Sequence, residues 1–443
     1  MKAMNRRAFV KHSSSAVAAS AVFRSQQSVA ASDKLIVGWM GLGGRMNQLA
    51  DVFCRRNDLQ SKYICDVNQT RFARAASNIE DMTGDMPKRV TDFRKMLDDP
   101  EVDIIINATP HHWHALGTIM ACQAGKHVYV EKPLCHNIRE GRKMVEAARK
   151  YDRIVQAGMQ NRSAEYLIKA ADIVQSGALG KVHQVRVMNM LDMRNKVGTI
   201  PPSMPVPDGL DWDMYCGPAP LLPYRGSAIR RKTWALSTGH ITDDAVHQLD
   251  VARWIVGVGS PASVSSSGGV YVLKDGRETP DTQIATWEYP DMLMHLHASL
   301  TVAGTKKSPE SVRNGDMFPE WLLNATRVEI FGTDGMMIVG RQGGGWQVFG
   351  PDGGIVDSRY GRHEIKAHVD NFIECVRNGA IPNGDVEKAH MSVSLCHMAN
   401  ISLRLGGRQL HWDGQKETFT NDADANTMIG RKERAPWVIP DDV

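Results

Sequence analysis

Paired cysteines and long runs of one charge are both missing from this sequence. Its seven cysteines form no CxxC pair, so neither a disulfide framework nor a zinc site is predicted. Four of them, Cys54, Cys65, Cys122 and Cys375, lie in apolar or helical contexts where buried free thiols are expected. The 53 basic and 49 acidic residues include no long basic run and no basic residues interleaved with aromatics. A nucleic-acid partner is therefore not expected.

The N-terminal region also lacks an apolar run of the about 20 residues that a membrane anchor needs. A short apolar stretch at 13–23 follows the pair Arg6-Arg7, and small residues lead from it to Ala31. We interpret residues 1–31 as a Tat signal that exports the folded protein to the periplasm, without stable membrane insertion. A frayed basic helix is the alternative interpretation.

Glycines interrupt the first strongly apolar segment. Residues 35–40 have the pattern of a buried strand, and Gly41 and Gly43 follow at the first two positions of a dinucleotide-binding loop. A pyrophosphate reaches backbone N–H groups at a helix N-terminus only where no side chain blocks the approach. Met46 stands at the third position, where glycine or alanine is usual. An ordinary glycine turn is the alternative for this motif taken alone.

An acidic residue follows the second predicted strand. Asp66 ends the segment 62–66, at the spacing where a carboxylate accepts hydrogen bonds from a ribose diol. It favours NAD over NADP because it would repel a 2′-phosphate, although the nearby Arg71 makes NADP less unfavourable. A turn or helix-cap carboxylate is the alternative.

Two differently patterned parts make up the chain after residue 33. Between 35 and 159, five short apolar strands alternate with amphipathic segments, which predicts a parallel, doubly wound sheet. From Lys181 onward, longer alternating strands predict a large, mostly antiparallel open sheet. The expected α/β fold comprises a nucleotide-binding domain at 33–159, an α+β substrate and oligomerisation domain at 160–411, and a surface tail at 412–443. Loops at 201–234 and 308–320 are expected to decide specificity.

Two strand ends of the first domain carry polar residues. The turn 109–114 follows the strand 103–108 and contains three histidines, but no matching acid or thiol set is near, so no metal is predicted. Packing or helix capping is the alternative for these histidines. The next strand ends in Glu131-Lys132-Pro133, where a fixed ammonium can stabilise a developing alkoxide. A solvated lysine is the alternative.

A third polar segment has helical spacing. Asp243 and His247 are one turn apart, so they would share a helix face. An acid so placed can orient the imidazole and raise its basicity, as a general base requires. A surface Asp/His pair is the alternative.

The glycine loop, the turn 109–114, the Glu131-Lys132-Pro133 element and the Asp243…His247-x-x-Asp250 element together resemble the glucose-fructose oxidoreductase and inositol dehydrogenase family (Gfo/Idh/MocA). The resemblance runs from about residue 35 to the end. It implies an N-terminal Rossmann domain and a C-terminal domain whose open sheet faces the cofactor and often builds dimers or tetramers. It also implies an oxidoreductase that acts on a carbohydrate.

The resemblance implies the following roles for residues of this chain. Lys132 and His247 would contact the hydroxyl being oxidised, His247 would take its proton, and Asp243 would support His247, with Asp244 as the competing acid. The expected cofactor contacts are Gly41, Gly43, Gly44, Arg45, Asp66, Thr109, Pro110, His114, Glu131 and Gln160. Packing is at least as good an explanation as sugar binding for the expected substrate contacts Trp113, Arg162, Tyr224 and Trp234.

Three functions compete at this stage. The preferred one is oxidation or reduction of a secondary hydroxyl of a sugar, glycoside or cyclitol, with NAD held tightly because free NAD is not expected outside the cytoplasm. A redox-neutral glycoside hydrolase or lyase on the same scaffold is the second, but such hydrolases tend to lack the lysine and the Asp/His pairing. A non-catalytic sensor is the third, and it would be expected to have lost Lys132 or His247.

Overall fold

The computed structural model describes residues 33–196, 198–363 and 365–443. The predicted export signal at 1–31 lies outside these residues. None of the helices in the described part combines the length and the apolar character needed to traverse a membrane.

The first domain is a parallel sheet flanked by helices. Its strands are β1 (Leu35–Met40), β2 (Leu59–Cys65), β3 (Lys88–Val90), β4 (Ile104–Asn107), β5 (His127–Val130) and β6 (Val155–Ala157), and its helices are α1 (Gly44–Phe53), α2 (Phe72–Thr83), α3 (Arg94–Leu97), α4 (His111–Gln123) and α5 (Ile138–Lys150). The strand order is β3-β2-β1-β4-β5-β6, so the order reverses between β1 and β4. Ligands of such sheets bind beyond the carboxyl ends of the strands at this reversal.

The predicted parallel sheet is confirmed, with one strand more than expected. Strand β3 has three residues, and both lysine and arginine in it are exposed. It carries no apolar run because an edge strand packs on only one neighbour. By contrast, β4 is buried along its whole length, and its Ile-Ile-Ile-Asn sequence is typical of a central parallel strand.

The second domain contains a ten-stranded sheet covered by helices on one face. Its strands are β7 (Gln184–Met190), β8 (Ser263–Gly269), β9 (Thr282–Glu288), β10 (Leu293–Ser299), β11 (Thr326–Phe331), β12 (Met336–Gly340), β13 (Trp346–Phe349) and β14 (Ile355–Arg359), and its helices are α6 (Glu165–Gln175), α7 (Trp212–Cys216), α8 (Val246–Val256), α9 (Glu310–Arg313), α10 (Ile365–Asn378) and α11 (Val386–Arg404). Neighbouring strands are antiparallel except β7 and β10. The predicted mostly antiparallel sheet is therefore confirmed.

The C-terminal segment extends the second sheet and then returns to the first domain. It contains β15 (Leu410–Asp413), β16 (Thr418–Phe419) and α12 (Ala423–Thr427), and the full order of the second sheet is β14-β13-β12-β11-β7-β10-β9-β8-β15-β16. Near its end Trp437 is buried, with its ring centroid 5.0 Å from that of Trp113. The polar composition predicted a tail on the surface, but a few buried apolar side chains attach it to the core.

All seven cysteines are free and buried, as expected for the four that the sequence singled out. Among the described residues no group of three or more histidine, cysteine, aspartate or glutamate side chains is placed to hold a metal ion.

Candidate active site

Three glycines shape the turn between β1 and α1. Gly41 has φ +88°, and a Cβ there would lie 2.8 Å from the carbonyl oxygen of Ala108 and from the N–H nitrogen of Thr109. Glycine is required at this position because both the backbone conformation and the close approach exclude a side chain. At Gly44, in contrast, a Cβ would meet nothing within 4 Å, and no side chain caps the helix that begins there. Open space at a helix N-terminus suits a bound pyrophosphate.

Asp66 fixes the glycine loop against the end of β2. Its carboxylate accepts a hydrogen bond from the N–H of Leu42 at 2.7 Å and one from the N–H of Asn68 at 2.8 Å. Arg71 pairs with the same carboxylate at 3.1 Å. The carboxylate is thus held at the mouth of the glycine loop, the position from which it can meet a ribose.

A cavity of about 270 Å³ lies beyond the strand ends of the first domain. Its lining includes Gly41, Gly43, Gly44, Asp66, Thr109, Pro110 and Trp113. The other wall comes from the second domain, through residues 201–231, which we call the strap; Leu210, Trp212, Tyr215 and Tyr224 of the strap face the cavity. This cavity, which we call the nucleotide cavity, is therefore covered by a segment of the second domain.

The strap is tied to the first domain by backbone hydrogen bonds. The N–H of Gln69 donates to the carbonyl oxygen of Gly209 at 2.8 Å, and the N–H of Asp211 donates to the carbonyl oxygen of Val67 at 3.0 Å. These bonds form a short antiparallel bridge next to Asp66. These bonds consequently hold the strap in place where it crosses the cavity beside Asp66.

Trp113 holds the strap from the other side. Its indole N–H donates to the carbonyl oxygens of Met214 and Tyr215 at 3.0 and 3.1 Å. Gly217 has φ +50°, and a Cβ there would lie 2.3 Å from the Trp113 ring. The tail adds a further contact, because Arg434 donates to the carbonyl oxygens of Gly217 and Ala219.

Glu131 connects the glycine loop to the end of β5. Its carboxylate accepts a hydrogen bond from Arg45 Nε at 2.8 Å, one from Gln160 at 3.3 Å, and one from the N–H of Lys132 at 3.2 Å. Arg45, Glu131 and Gln160 thus form one network. Its direct effect is to fix the backbone that carries Lys132.

Lys132 lies against Asp243 across the boundary between the two domains. Its ammonium group donates to the carbonyl oxygen of Asp243 and lies 3.7 Å from the carboxylate. His111 Nε2 and Arg231 Nε approach the same carboxylate at 3.3 Å each. Burial opposes ionisation of Asp243, but Lys132, His111 and Arg231 hold its pKa well below the usual range. The carboxylate is therefore charged and shared among cationic and histidine partners.

A π-helical turn, Ile241–Ala245, contains both acids and leads into α8, which carries the histidine. The structure brings Asp243 to Lys132, whereas the carboxylate of Asp244 accepts from Asn189 at 3.0 Å and pairs with Lys307 at 2.7 Å. The regular helical spacing that would place Asp243 beside His247 is interrupted by the wider turn. Such turns are frequent at functional sites.

His247 follows the turn and is buried beside charged groups. Burial lowers its pKa well below the usual value, and the charges of Arg341 and Lys132 lower it further, while Asp244 opposes them. The imidazole is therefore neutral at neutral pH and can accept a proton. Asp243 is the acid that approaches Lys132, and Asp244 is one of the charges that shift the pKa of His247.

A second cavity, of about 680 Å³, has Lys132 in its wall. We call it the substrate cavity. Its lining includes Lys132, His240, Asp243, Asp244 and Lys307. His240 contributes a buried ring nitrogen, Nε2, without a hydrogen-bond partner in the described part of the chain. Lys132 therefore faces this cavity, and its partner Asp243 is also approached by His111, which follows Pro110 of the nucleotide cavity.

Several predicted contact residues lie elsewhere. His114 is buried behind the turn, with its ring nitrogens 2.6 Å from the carbonyl oxygen of Pro133 and 2.8 Å from that of Thr109. Arg162 is buried and paired with Asp250, and Trp234 lies at a small third cavity of about 70 Å³. Trp113 and Tyr224 face the nucleotide cavity. None of the four expected sugar contacts lines the substrate cavity, because long-range packing decides which way these side chains point.

Sequence reasoning missed three residues of the site. Lys307 and Arg341 both pair with Asp244, and Asn189 donates to it. They belong to β7, to a loop and to the turn after β12, far apart in the chain, and none stands in a recognisable motif. Only the sheet topology brings them together.

Family models match most of the described chain in three parts, which leave residues 160–214 unmatched. Residues 34–159 match "Oxidoreductase family, NAD-binding Rossmann fold", residues 215–338 match "GFO/IDH/MocA C-terminal domain", and residues 337–439 match "Oxidoreductase family, C-terminal alpha/beta domain". The first of these ranges contains the glycine loop, Asp66 and Lys132.

Individual relatives are more distant. A "Glycosyl hydrolase family 109 protein" of Shewanella putrefaciens is 28% identical over 182 residues, which is 38% of this chain and 39% of that protein. The chain thus matches about two fifths of the length of such curated relatives. Among solved structures, "Levoglucosan dehydrogenase, complex with NADH and levoglucosan" is 18% identical with a TM-score of 0.63, over 85% of this chain and 99% of that chain. Aldose-aldose oxidoreductase from Caulobacter crescentus is 19% identical with a TM-score of 0.61, over 85% and 99%.

Proposed function

Because the chain belongs to the Gfo/Idh/MocA oxidoreductase family, we propose that it is an NAD-dependent oxidoreductase acting on a secondary hydroxyl of a sugar, glycoside or cyclitol. The observation that carries the proposal is the position of Lys132. It lines the substrate cavity and lies 3.7 Å from the carboxylate of Asp243. The same carboxylate lies 3.3 Å from His111, the residue that follows Pro110 in the wall of the nucleotide cavity. The charge of Lys132 also contributes to the lowered pKa of His247.

The residues present fit NAD at the first cavity. Space at Gly43 and Gly44 leaves the N-terminus of α1 open to a pyrophosphate. Asp66 stands where its carboxylate can accept hydrogen bonds from a ribose diol. Thr109 and Pro110 line the far end of the cavity. NAD is the preferred form, since Asp66 opposes a 2′-phosphate, although Arg71 beside it would reduce that repulsion. When bound, the nicotinamide accepts a hydride from the hydroxyl-bearing carbon.

The chain's own groups would accept the hydroxyl proton and stabilise the negative charge that develops on the substrate oxygen. The Lys132 ammonium would donate a hydrogen bond to the substrate oxygen and stabilise negative charge on it. His247, neutral because its pKa is lowered by burial and by Arg341 and Lys132, would take the hydroxyl proton. Asp243 would hold Lys132 in place, and Asp244 would stabilise the imidazolium that forms.

We propose that the cofactor is held tightly and recycled in place. The strap covers the nucleotide cavity and is attached by backbone bonds at Val67 and Gln69 and by the Trp113 indole. Dissociation of NAD would require these attachments to open. A retained cofactor agrees with the proposed Tat export to the periplasm, where the oxidised form would be restored by reducing a second sugar.

The experiment that tests the proposal is to denature the purified protein without added cofactor and assay the supernatant for NAD(H) and its redox state. Near-stoichiometric nucleotide, together with reduction of bound NAD by sugars in stopped-flow absorbance at the nicotinamide band, is the expected result. A protein that binds no nucleotide would overturn the proposal in favour of a sensor. Replacing Arg6 and Arg7 by lysine should leave the protein in the cytoplasm; unchanged location would refute the export proposal.

A redox-neutral glycoside hydrolase is the second candidate, and the name of the Shewanella relative is the observation that favours it. Such an enzyme would oxidise the sugar, eliminate the aglycone, add water and return the hydride. A panel of nitrophenyl glycosides distinguishes the two. Release of nitrophenol without net change in bound NAD supports the hydrolase, and oxidised sugar without cleavage supports the dehydrogenase.

We also propose a homodimer or homotetramer formed through the open face of the second sheet. Ile284 and Leu293 project from this face on the paired strands β9 and β10, and both are largely exposed. Analytical ultracentrifugation of the wild type and of an Ile284→Lys variant tests this assembly. The variant should sediment as a species of lower mass than the wild type.

A further inference from the structure

Basic side chains dominate the lining of the substrate cavity. The cationic residues are Lys132, Lys196, Arg231, Lys232, Arg277, Lys306 and Lys307, and the acidic ones are Asp192, Asp243 and Asp244. A neutral sugar would need hydrogen-bond donors and acceptors, but it would not need an excess of one charge.

Two of these three carboxylates do not neutralise the cations one for one, because each is shared between two positively charged side chains. The third, Asp192, pairs with Arg194, which is outside the lining. Asp243 forms ion pairs with both Lys132 and Arg231. Asp244 forms ion pairs with both Lys307, at 2.7 Å, and the buried Arg341, at 3.2 Å.

The far wall repeats the same arrangement. The buried Asp275 pairs with Lys232 at 3.0 Å and with Arg277 at 2.7 Å, and both cations line the cavity. Each of the three shared carboxylates therefore leaves one positive charge uncompensated.

Lys306 adds a further charge at the exposed edge of the cavity. Within the described residues it forms no ion pair, whereas its neighbour Lys307 pairs with Asp244. Clefts lined by one sign of charge focus the field and concentrate ligands of the opposite sign. A charge-assisted hydrogen bond to such a ligand is also stronger than a neutral one.

We propose that the carbohydrate bound in the substrate cavity carries an anionic group, a carboxylate, sulfate or phosphate ester, and that the cationic lining selects it. This inference rests on the proposed function for the identity of the site, but it concerns binding and not hydride transfer. The anionic group lies against the Lys306 side of the cavity, away from Asp243 and Asp244.

The test compares matched neutral and anionic sugars on the protein with its bound NAD. Calorimetry would measure the affinity of methyl glucoside, methyl glucuronide, glucose 6-sulfate and glucose 6-phosphate at low and high salt. At least one anionic probe should bind about tenfold more tightly than the neutral one, as expected for one charge-assisted contact. Added salt should reduce this ratio. The best anion identifies the group among the three.

Variants separate the lining from the general charge of the protein. Lys306→Met should lower the ratio of anionic to neutral affinity about fivefold, by loss of one partly solvated charge pair. Lys95→Gln removes an exposed lysine on α3, far from the cavity, and should leave the ratio unchanged. Equal affinities for neutral and anionic probes, or no binding of any anionic probe, would overturn the inference. Anion-selective binding without reduction of bound NAD would uphold it while refuting the oxidoreductase proposal.

Discussion

Arg162 and Asp250 form a buried bidentate ion pair, with Arg162 Nη2 2.7 Å from Asp250 Oδ1 and Arg162 Nε 2.9 Å from Asp250 Oδ2. The arginine belongs to the 3₁₀ turn Gln160–Ser163 after β6, and the aspartate belongs to α8. Ser392 donates a third hydrogen bond to the carboxylate. The pair therefore joins the turn that carries Gln160 to the helix that carries His247, and the last acid of the Asp243…His247-x-x-Asp250 element is structural.

Removing one partner of this pair should destabilise the fold strongly. Asp250→Asn leaves the buried Arg162 charge uncompensated, which typically costs about 3–5 kcal/mol of unfolding free energy. Urea denaturation followed by tryptophan fluorescence measures the loss. The double variant Arg162→Met/Asp250→Leu removes both charges and should be less destabilised than the single variant. A single variant within about 1 kcal/mol of wild type would contradict the prediction.

Gly41 and Gly44 should respond differently to alanine. Gly41→Ala places a Cβ 2.8 Å from backbone atoms at φ +88° and should lower stability and NAD binding together. Gly44→Ala meets no protein atom within 4 Å, so the fold should persist while the methyl group obstructs the pyrophosphate. Thermal melting and NAD titration of both variants provide the comparison. Full NAD affinity in Gly44→Ala would show that the pyrophosphate does not bind at this turn.

The elements that local pattern determines were predictable from the sequence. The glycine loop, the acid after β2 and the strand-end Lys132 lie where parallel-strand topology requires them, so spacing alone located them. Strand β3 was missed because two of its three residues are charged and exposed, which leaves Val90 as its single apolar residue.

The walls of the substrate cavity were not predictable in the same way. The orientation of Asp243 depends on a π-helical turn that helical periodicity does not reveal. The pairing of Lys307 and Arg341 with Asp244 depends on the order of strands in the second sheet. Aromatic residues expected at the sugar instead fasten the strap, as Trp113 does.

Buried histidines should make the fold sensitive to mild acid. Burial lowers the pKa of His112 to about 3 and the pKa of both His114 and His368 to about 4. In the unfolded chain each ring takes up a proton near pH 6.5, so the unfolded state binds more protons between these values. The free energy of unfolding should therefore fall as the pH drops from about 6.5 toward 4, by at most about 1.4 kcal/mol per pH unit for each histidine.

Urea unfolding at pH 7.0 and pH 5.0 measures this dependence. His368→Gln should show a smaller loss between the two pH values, because one titrating ring has been removed. His411→Gln changes an exposed side chain and should keep the loss of the wild type. Equal stability of the wild type at both pH values would contradict the prediction.

Loosening the strap should release the cofactor. Gly217→Ala combines an unfavourable φ of +50° with a Cβ 2.3 Å from the Trp113 ring, so the strap must shift. Gly353→Ala has a similar backbone strain, at φ +79°, but meets nothing within 4 Å and lies far from the cavity. The rate of NADH loss into a trap of excess NAD analogue should rise in the first variant and stay unchanged in the second. Trp113→Phe, which removes the indole N–H bonds and replaces the indole by a smaller ring, should show an intermediate rate. No change in either strap variant would mean that the strap does not retain the cofactor.

Lys132 and His247 should separate cofactor binding from turnover. Lys132→Met removes a group that lines the substrate cavity, and His247→Asn removes the proposed base. Neither residue lines the nucleotide cavity, so bound NAD should be retained. The rate of sugar-dependent reduction of bound NAD should fall by about 10²–10⁴ fold, as for loss of an acid, a base or a charge-stabilising donor.

The pKa of His247 lies well below its usual value, so protonation of this base should reduce the wild-type rate only well below pH 6.5. Rate constants from stopped-flow absorbance between pH 4.5 and 9 would test both points, with Lys95→Gln as the surface control. A His247→Asn variant that turns over at the wild-type rate would transfer the role of base to another group. The residue to replace next is then His240, which lines the substrate cavity and whose Nε2 has no hydrogen-bond partner among the described residues.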